Sequence, residues 1–141
     1  MKRAAHAVPA WARSVGAAVA YALFAFLIGF AFGTIRVLAV APYTGETGAV
    51  LLEAPVMLLV SWKICRWCTR SFVVPGGFPA RALMGVVAFT VLTGMELGVS
   101  ALLLGRSVSE YLLAYGSPAG ALGLAAQLCF AGFPILQPRQ A

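Results

Sequence analysis

Arg36, Glu53 and Glu96 stand inside otherwise apolar stretches of this chain. A charge in hydrocarbon is costly, so such residues are normally paired, turned toward protein and tied to function. One Arg and two Glu leave one negative charge to be neutralised. A proton, a cation or the basic group of a ligand or partner would serve. The other reading is structural: an Arg36–Glu53 pair fixes helix register, and Glu96 hydrogen-bonds to Thr or Ser.

The elements that position these groups follow from hydropathy. The chain has 141 residues, 62% of them hydrophobic. Only 10% are charged, against about 25% in a soluble domain. Spans are predicted at about 14–40, 48–66, 82–104 and 118–136, each near the ~20 residues a hydrocarbon core requires. The expected fold is all-α, a four-helix transmembrane bundle of two antiparallel hairpins forming one integral membrane domain over residues 1–141. At ~1.5 Å per helical residue, Arg36 and Glu53 both fall ~8 Å below the outer turn. Glu96 falls ~9 Å below the outer surface of a ~30 Å core. The three are predicted to form one charged layer.

The N-terminal apolar run is longer than the ~7–15 residues of a signal-peptide core, so a retained first helix is expected. The net charge of +6 does not point to nucleic acid, because the positive residues fall where topology puts them. Lys2, Arg3 and Arg13 precede helix one. Lys63, Arg66, Arg70 and Arg81 lie between helices two and three, and Arg139 follows helix four. The 42–48 loop has no Lys or Arg, and the last outer loop has only Arg106, near Glu110. The positive-inside rule then places both termini in the cytoplasm, with the basic middle loop resting on anionic lipid.

Packing signals accompany the charges. Gly29 and Gly33 make a G-x-x-x-G on the same face as Arg36, a seat for a closely approaching helix. Pro42 to Gly48 reads as a turn. Pro55 in helix two predicts a kink or an opened turn beside Glu53; the milder reading is that it only shapes the bundle. Gly94 and Gly98 form a second smooth face on helix three, opposite Glu96, whose own face carries the polar stripe of Thr93 and Ser100. Ser107 to Glu110 fits a capping box opening a short interfacial helix, with Tyr111 and Tyr115 at headgroup level. Ser117 and Pro118 open helix four. There Gly120, Gly123 and Gln127 share a face predicted to pack tightly, Gln127 making an interhelical hydrogen bond. Trp62 and Trp67 read as interfacial anchors.

Cys65 and Cys68 form a C-x-x-C at the cytoplasmic end of helix two. With His6 as the only histidine, far away in sequence, they are weak candidates for a metal site. Four-helix quinone oxidoreductases of membranes carry C-x-x-C on the outer side, so that analogy fails by topology. The chain has no Asp, no nucleophile–base pair, no H-E-x-x-H and no phosphate loop. No enzyme activity, metal or cofactor is expected.

The run Gly33-Thr34-Ile35-Arg36, then Pro42, Gly45, Leu52-Glu53-Ala54-Pro55 and Ser61-Trp62 resembles a group of small bacterial four-helix inner-membrane proteins of uncharacterised function. That resemblance implies a bacterial inner membrane and carries over no activity. In size the chain is also similar to small multidrug-resistance exporters, but those place their working Glu in the first helix, where this chain has none. The leading expectation is a non-catalytic membrane protein, packing with itself or as an accessory subunit of a larger membrane complex, without nucleic acid. The alternative is a small proton- or cation-coupled transporter acting as a dimer through Glu96 and Glu53.

Overall fold

The computed structural model describes residues 8–138. Lys2, Arg3, His6 and Arg139 lie outside them. Every regular element among the described residues is helical. Helix α1 (Ala10–Ile35) passes through a π-helical turn (Arg36–Val40) into α2 (Ala41–Ser71). Then come α3 (Phe78–Leu103), the short α4 (Val108–Leu113), a 3-10 turn (Ala114–Gly116) and α5 (Pro118–Leu136). Three helical stretches are long and apolar enough to cross a bilayer: Ala10–Ser71, Phe78–Leu103 and Pro118–Leu136.

The first stretch differs from the predicted pair of spans around a loop at 42–48. Helical structure continues for 62 residues, and the one non-helical torsion inside α2 is Gly45, at φ 76° and ψ 167°. That backbone region is in effect reserved for glycine. The turn-type residues around it are absorbed into helix. Pro42 sits in the first turn of α2, where a missing N–H costs little, and Thr44 Oγ1 donates to the Val40 carbonyl at 3.0 Å.

The chain reverses at Gly45, and the two arms lie against each other. Arg36 meets Glu53, Gly29 faces Met57, and Gly16 faces Phe72. Arg13 Nη1 donates to the Val73 carbonyl at 2.8 Å. All these pairs are centred close to Gly45, as an antiparallel hairpin requires. Pro55 lies within α2 without breaking its helical torsions, so the turn beside Glu53 is not opened.

Helix α2 also runs past the predicted end at 66, to Ser71, and α3 starts at Phe78 rather than near 82. The α2 terminus is a Schellman motif: Val74 N–H bonds to the Thr69 carbonyl at 3.0 Å and Val73 N–H to the Arg70 carbonyl at 3.2 Å. Its left-handed position, usually glycine, is Val73 at φ 52°. A side chain there costs ~1–2 kcal/mol.

The four long helices form a ring: α1 packs on α2 and α3, and α5 packs on the same two. Tyr21 bridges the centre. Its hydroxyl donates to the Phe130 carbonyl at 2.9 Å, and the two rings stack at 4.0 Å. Ala17, Ala18, Ala22 and Ala25 of α1 surround it with Cys65, Cys68, Met84 and Ala88, all buried. The small alanines let the helices approach closely around Tyr21. Gly85 marks the closest crossing of α3 and α5: a Cβ there would collide with the Ala131 carbonyl oxygen.

Candidate functional site

The three charged residues divide into two separate groups. Arg36 Nη1 lies 2.9 Å from Glu53 Oε2. The approach misses hydrogen-bond alignment, so charge rather than directionality holds this pair. Two features of the hairpin position it. The π-helical turn begins at Arg36, and the Arg36 guanidinium lies back over Gly33, whose missing side chain leaves room for it. Gly29, one turn below, admits Met57 of α2. The α1 glycine face is thus covered by the other arm of its hairpin at Gly29 and by Arg36 at Gly33.

Glu96 does not join Arg36; the one ion pair among the described residues is Arg36–Glu53. Nor does it bond to Thr93 or Ser100, which corrects the predicted stripe: both hydroxyl oxygens are buried without a partner. The Glu96 carboxyl reaches away from its own helix instead. Tyr111 of α4 donates its hydroxyl to Glu96 Oε2 at 3.1 Å, and Gln127 of α5 donates its amide Nε2 to the same oxygen. Tyr111 and Tyr115 share a hydroxyl contact of 2.7 Å, and Tyr115 reaches Gln127 Oε1 at 3.4 Å. Burial first, then the Tyr115 hydroxyl and the Glu96 carboxyl, hold the Tyr111 phenol above its ordinary range. It therefore keeps its hydrogen at physiological pH.

Local sequence builds this cluster. Ser107 caps α4, accepting from Glu110 N–H at 3.2 Å. Ser117 caps α5, accepting from Gly120 N–H at 3.0 Å. Between the caps the chain turns so tightly that a Cβ on Gly120 would collide with the Ala114 carbonyl oxygen. Tyr111 and Tyr115, four apart, are thereby directed at Glu96 and Gln127. Their i, i+4 spacing before a Gly-Ser-Pro turn was the available signal.

The remaining predicted packing residues have no neighbour to fill. A Cβ on Gly94, Gly98 or Gly123 would meet nothing within 4 Å. Gly120 lies tightly against the 3-10 turn that precedes its own helix rather than against another helix, and Gly123 has no such neighbour. Cys65 and Cys68 are buried in the core, unbridged. Among the described residues no group of three or more His, Cys, Asp or Glu gathers to hold a metal.

Arg81, predicted as a loop charge resting on lipid, is 3% exposed. Its guanidinium donates to the Pro75 carbonyl at 3.0 Å and to the Pro134 carbonyl at 3.1 Å, fastening the α2–α3 loop to the end of α5. Trp62, partly buried, packs edge-on against Phe133, while Trp67 stays exposed beside Phe24.

Compared with protein-family models, curated proteins and solved structures, the chain matches none of them.

Proposed function

We propose that this is a small non-catalytic protein of the bacterial inner membrane that associates with a second copy of itself through α3. The observation that carries the reading is the open glycine face of that helix. Gly29, Gly85 and Gly120 each admit a neighbour from within the chain, whereas Gly94 and Gly98 meet nothing. A small-x-x-x-small face lets helix backbones approach closely, and packing of that kind drives association in lipid.

Four crossings with both termini cytoplasmic are part of the same reading. A 62-residue stretch is ~93 Å long at ~1.5 Å per residue, about three times a ~30 Å core. Its arms lie side by side, which suits two crossings. Arg13 reaches the loop that carries Val73, so the basic residues of both segments belong to one end of the bundle, consistent with a cytoplasmic end.

The test is the oligomeric state in mild detergent, by sedimentation. The wild-type chain is expected to be a dimer. The Gly94→Leu, Gly98→Leu double variant is expected to be monomeric with its helical circular dichroism retained, because a Cβ at either position meets no atom of the chain within 4 Å. A monomeric wild type overturns the reading.

A carrier acting through Glu96 and Glu53 remains the second reading. The polar cluster at Glu96 supports it, while the commitment of Glu53 to Arg36 weighs against a shared site. Proton flux into vesicles that is abolished by Glu96→Gln would favour the carrier.

A further inference from the structure

Glu96, Tyr111, Tyr115 and Gln127 form a closed ring of four polar contacts: Glu96–Tyr111, Tyr111–Tyr115, Tyr115–Gln127 and Gln127–Glu96. Each contact needs one hydrogen to be a hydrogen bond. Tyr111 and Tyr115 carry one hydroxyl hydrogen each. The Gln127 carboxamide presents its nitrogen to one neighbour and its oxygen to the other, so it places one N–H in the ring. Neutral side chains therefore supply three hydrogens for four contacts. The fourth can come only from the Glu96 carboxyl. Exchanging the oxygen and nitrogen of the Gln127 amide reverses the direction of the ring and leaves the count unchanged.

The two protonation states differ in the number of links that carry a hydrogen, three against four, and in the direction of donation through the two tyrosines. With Glu96 ionised, Tyr111 and Gln127 donate to the carboxylate and Tyr115 donates to Tyr111. The Tyr115–Gln127 contact, the longest at 3.4 Å, then faces oxygen with oxygen and has no hydrogen. With Glu96 protonated, donation runs in one direction around all four members. The ring joins three elements, since Glu96 is on α3, Tyr111 and Tyr115 are on α4 and its 3-10 turn, and Gln127 is on α5.

We propose that Glu96 is a reversible proton-binding site, and that its proton closes a ring of side chains tying α4 to α3 and α5. The proton is exchanged with water and no other reactant is required. The inference does not depend on self-association.

The charges on the surrounding elements do not compete for the site. On α1, Arg13 is bonded to the Val73 carbonyl and Tyr21 to the Phe130 carbonyl, and in the π-helical turn Arg36 is paired with Glu53. On α3, Arg81 is held by the Pro75 and Pro134 carbonyls. Arg106 and Glu110, flanking the start of α4, are exposed, as is Cys129 on α5. No charged residue lies within α5.

The experiment is infrared difference spectroscopy of the full chain in lipid vesicles during a pH titration, reading the carbonyl stretch of a protonated carboxyl group. A band present in wild type and missing from Glu96→Gln belongs to this site. Tyr115→Phe removes two links from the protonated ring but one from the ionised arrangement. Its band should disappear at a pH lower by about half to one unit, the equivalent of one hydrogen bond. Tyr111→Phe removes two links from each state, but one of those lost from the ionised state is charge-assisted, and such bonds are the stronger ones, so its band should persist to higher pH. Opposite shifts in the two phenylalanine variants support the ring. Absence of any Glu96-dependent band, or shifts in the same direction, overturns the proposal. Should one variant fail to fold, the sign of the other's shift against wild type still decides.

Discussion

Arg36 is 32% exposed at its side chain and Glu53 15%, so each is partly shielded from solvent and has the other as its ionic partner. Surface pairs contribute ~0–1 kcal/mol, whereas removing one member of a fully buried pair costs ~3–5 kcal/mol. This pair lies between those limits. Arg36→Met is expected to cost ~1–3 kcal/mol because it strands the carboxylate. The Arg36→Met, Glu53→Leu double variant should recover most of that loss, because no charge is then left alone. Thermal or denaturant unfolding in one detergent measures both. A double variant less stable than either single one would assign the pair a positive net contribution and contradict the expectation. At this scale the sequence was readable where geometry was simple. Two charges at equal distance from a chain reversal must meet if they face each other. The partners of Glu96 were harder to see, because short hydroxyls on its own helix looked nearer than tyrosines arriving from another element. The carboxyl extends off α3 toward α5, and the Thr93 and Ser100 oxygens are left without a partner.

Helix boundaries obey backbone rules that composition only partly reveals. Pro42, Thr44 and Gly48 all suggest a loop, yet one glycine torsion performs the whole reversal. Gly45 has nothing within 4 Å of a Cβ position, so Gly45→Ala isolates the backbone effect from steric clash. An alanine in this region costs ~1–3 kcal/mol. The variant should melt correspondingly lower while its helical circular dichroism at low temperature is retained, and an unchanged melting temperature would show that the reversal is not anchored there. The opposite mismatch occurs at the other end of α2. Glycine is the expected residue at a left-handed cap, but Gly76 and Gly77 lie downstream and Val73 holds the position. Two backbone hydrogen bonds and the Arg13 guanidinium fix that segment. A long-range bond from the start of α1 cannot be read from the residues around α2, so the later helix end was not legible.

Across the whole molecule, packing is uneven. The core around Tyr21 and Phe130 joins the start of α1 to the ends of α2 and α5 and the first half of α3. The far ends of the helices carry the hairpin tip, with Leu38 and Tyr43 exposed, and the α4 segment, with Leu112 and Leu113 exposed. The all-helical class and the long apolar stretches were evident from hydropathy alone, because a bilayer admits few other backbones. In the proposed orientation the packed end, with Arg13, Arg66 and Arg70, faces the cytoplasm, and the tip and α4 face outward. Single cysteines test this once Cys65, Cys68 and Cys129 are replaced by alanine. In cells with a permeable outer membrane, an impermeant maleimide should label Thr44→Cys and Ser107→Cys. Gly76→Cys, in the loop between α2 and α3, should react only after lysis. Both outer positions must react together, because they lie on successive connections at the same end of the ring. Labelling of Thr44→Cys without Ser107→Cys would mean that α3 does not cross, and labelling of Gly76→Cys in intact cells would invert the orientation drawn from the arginines.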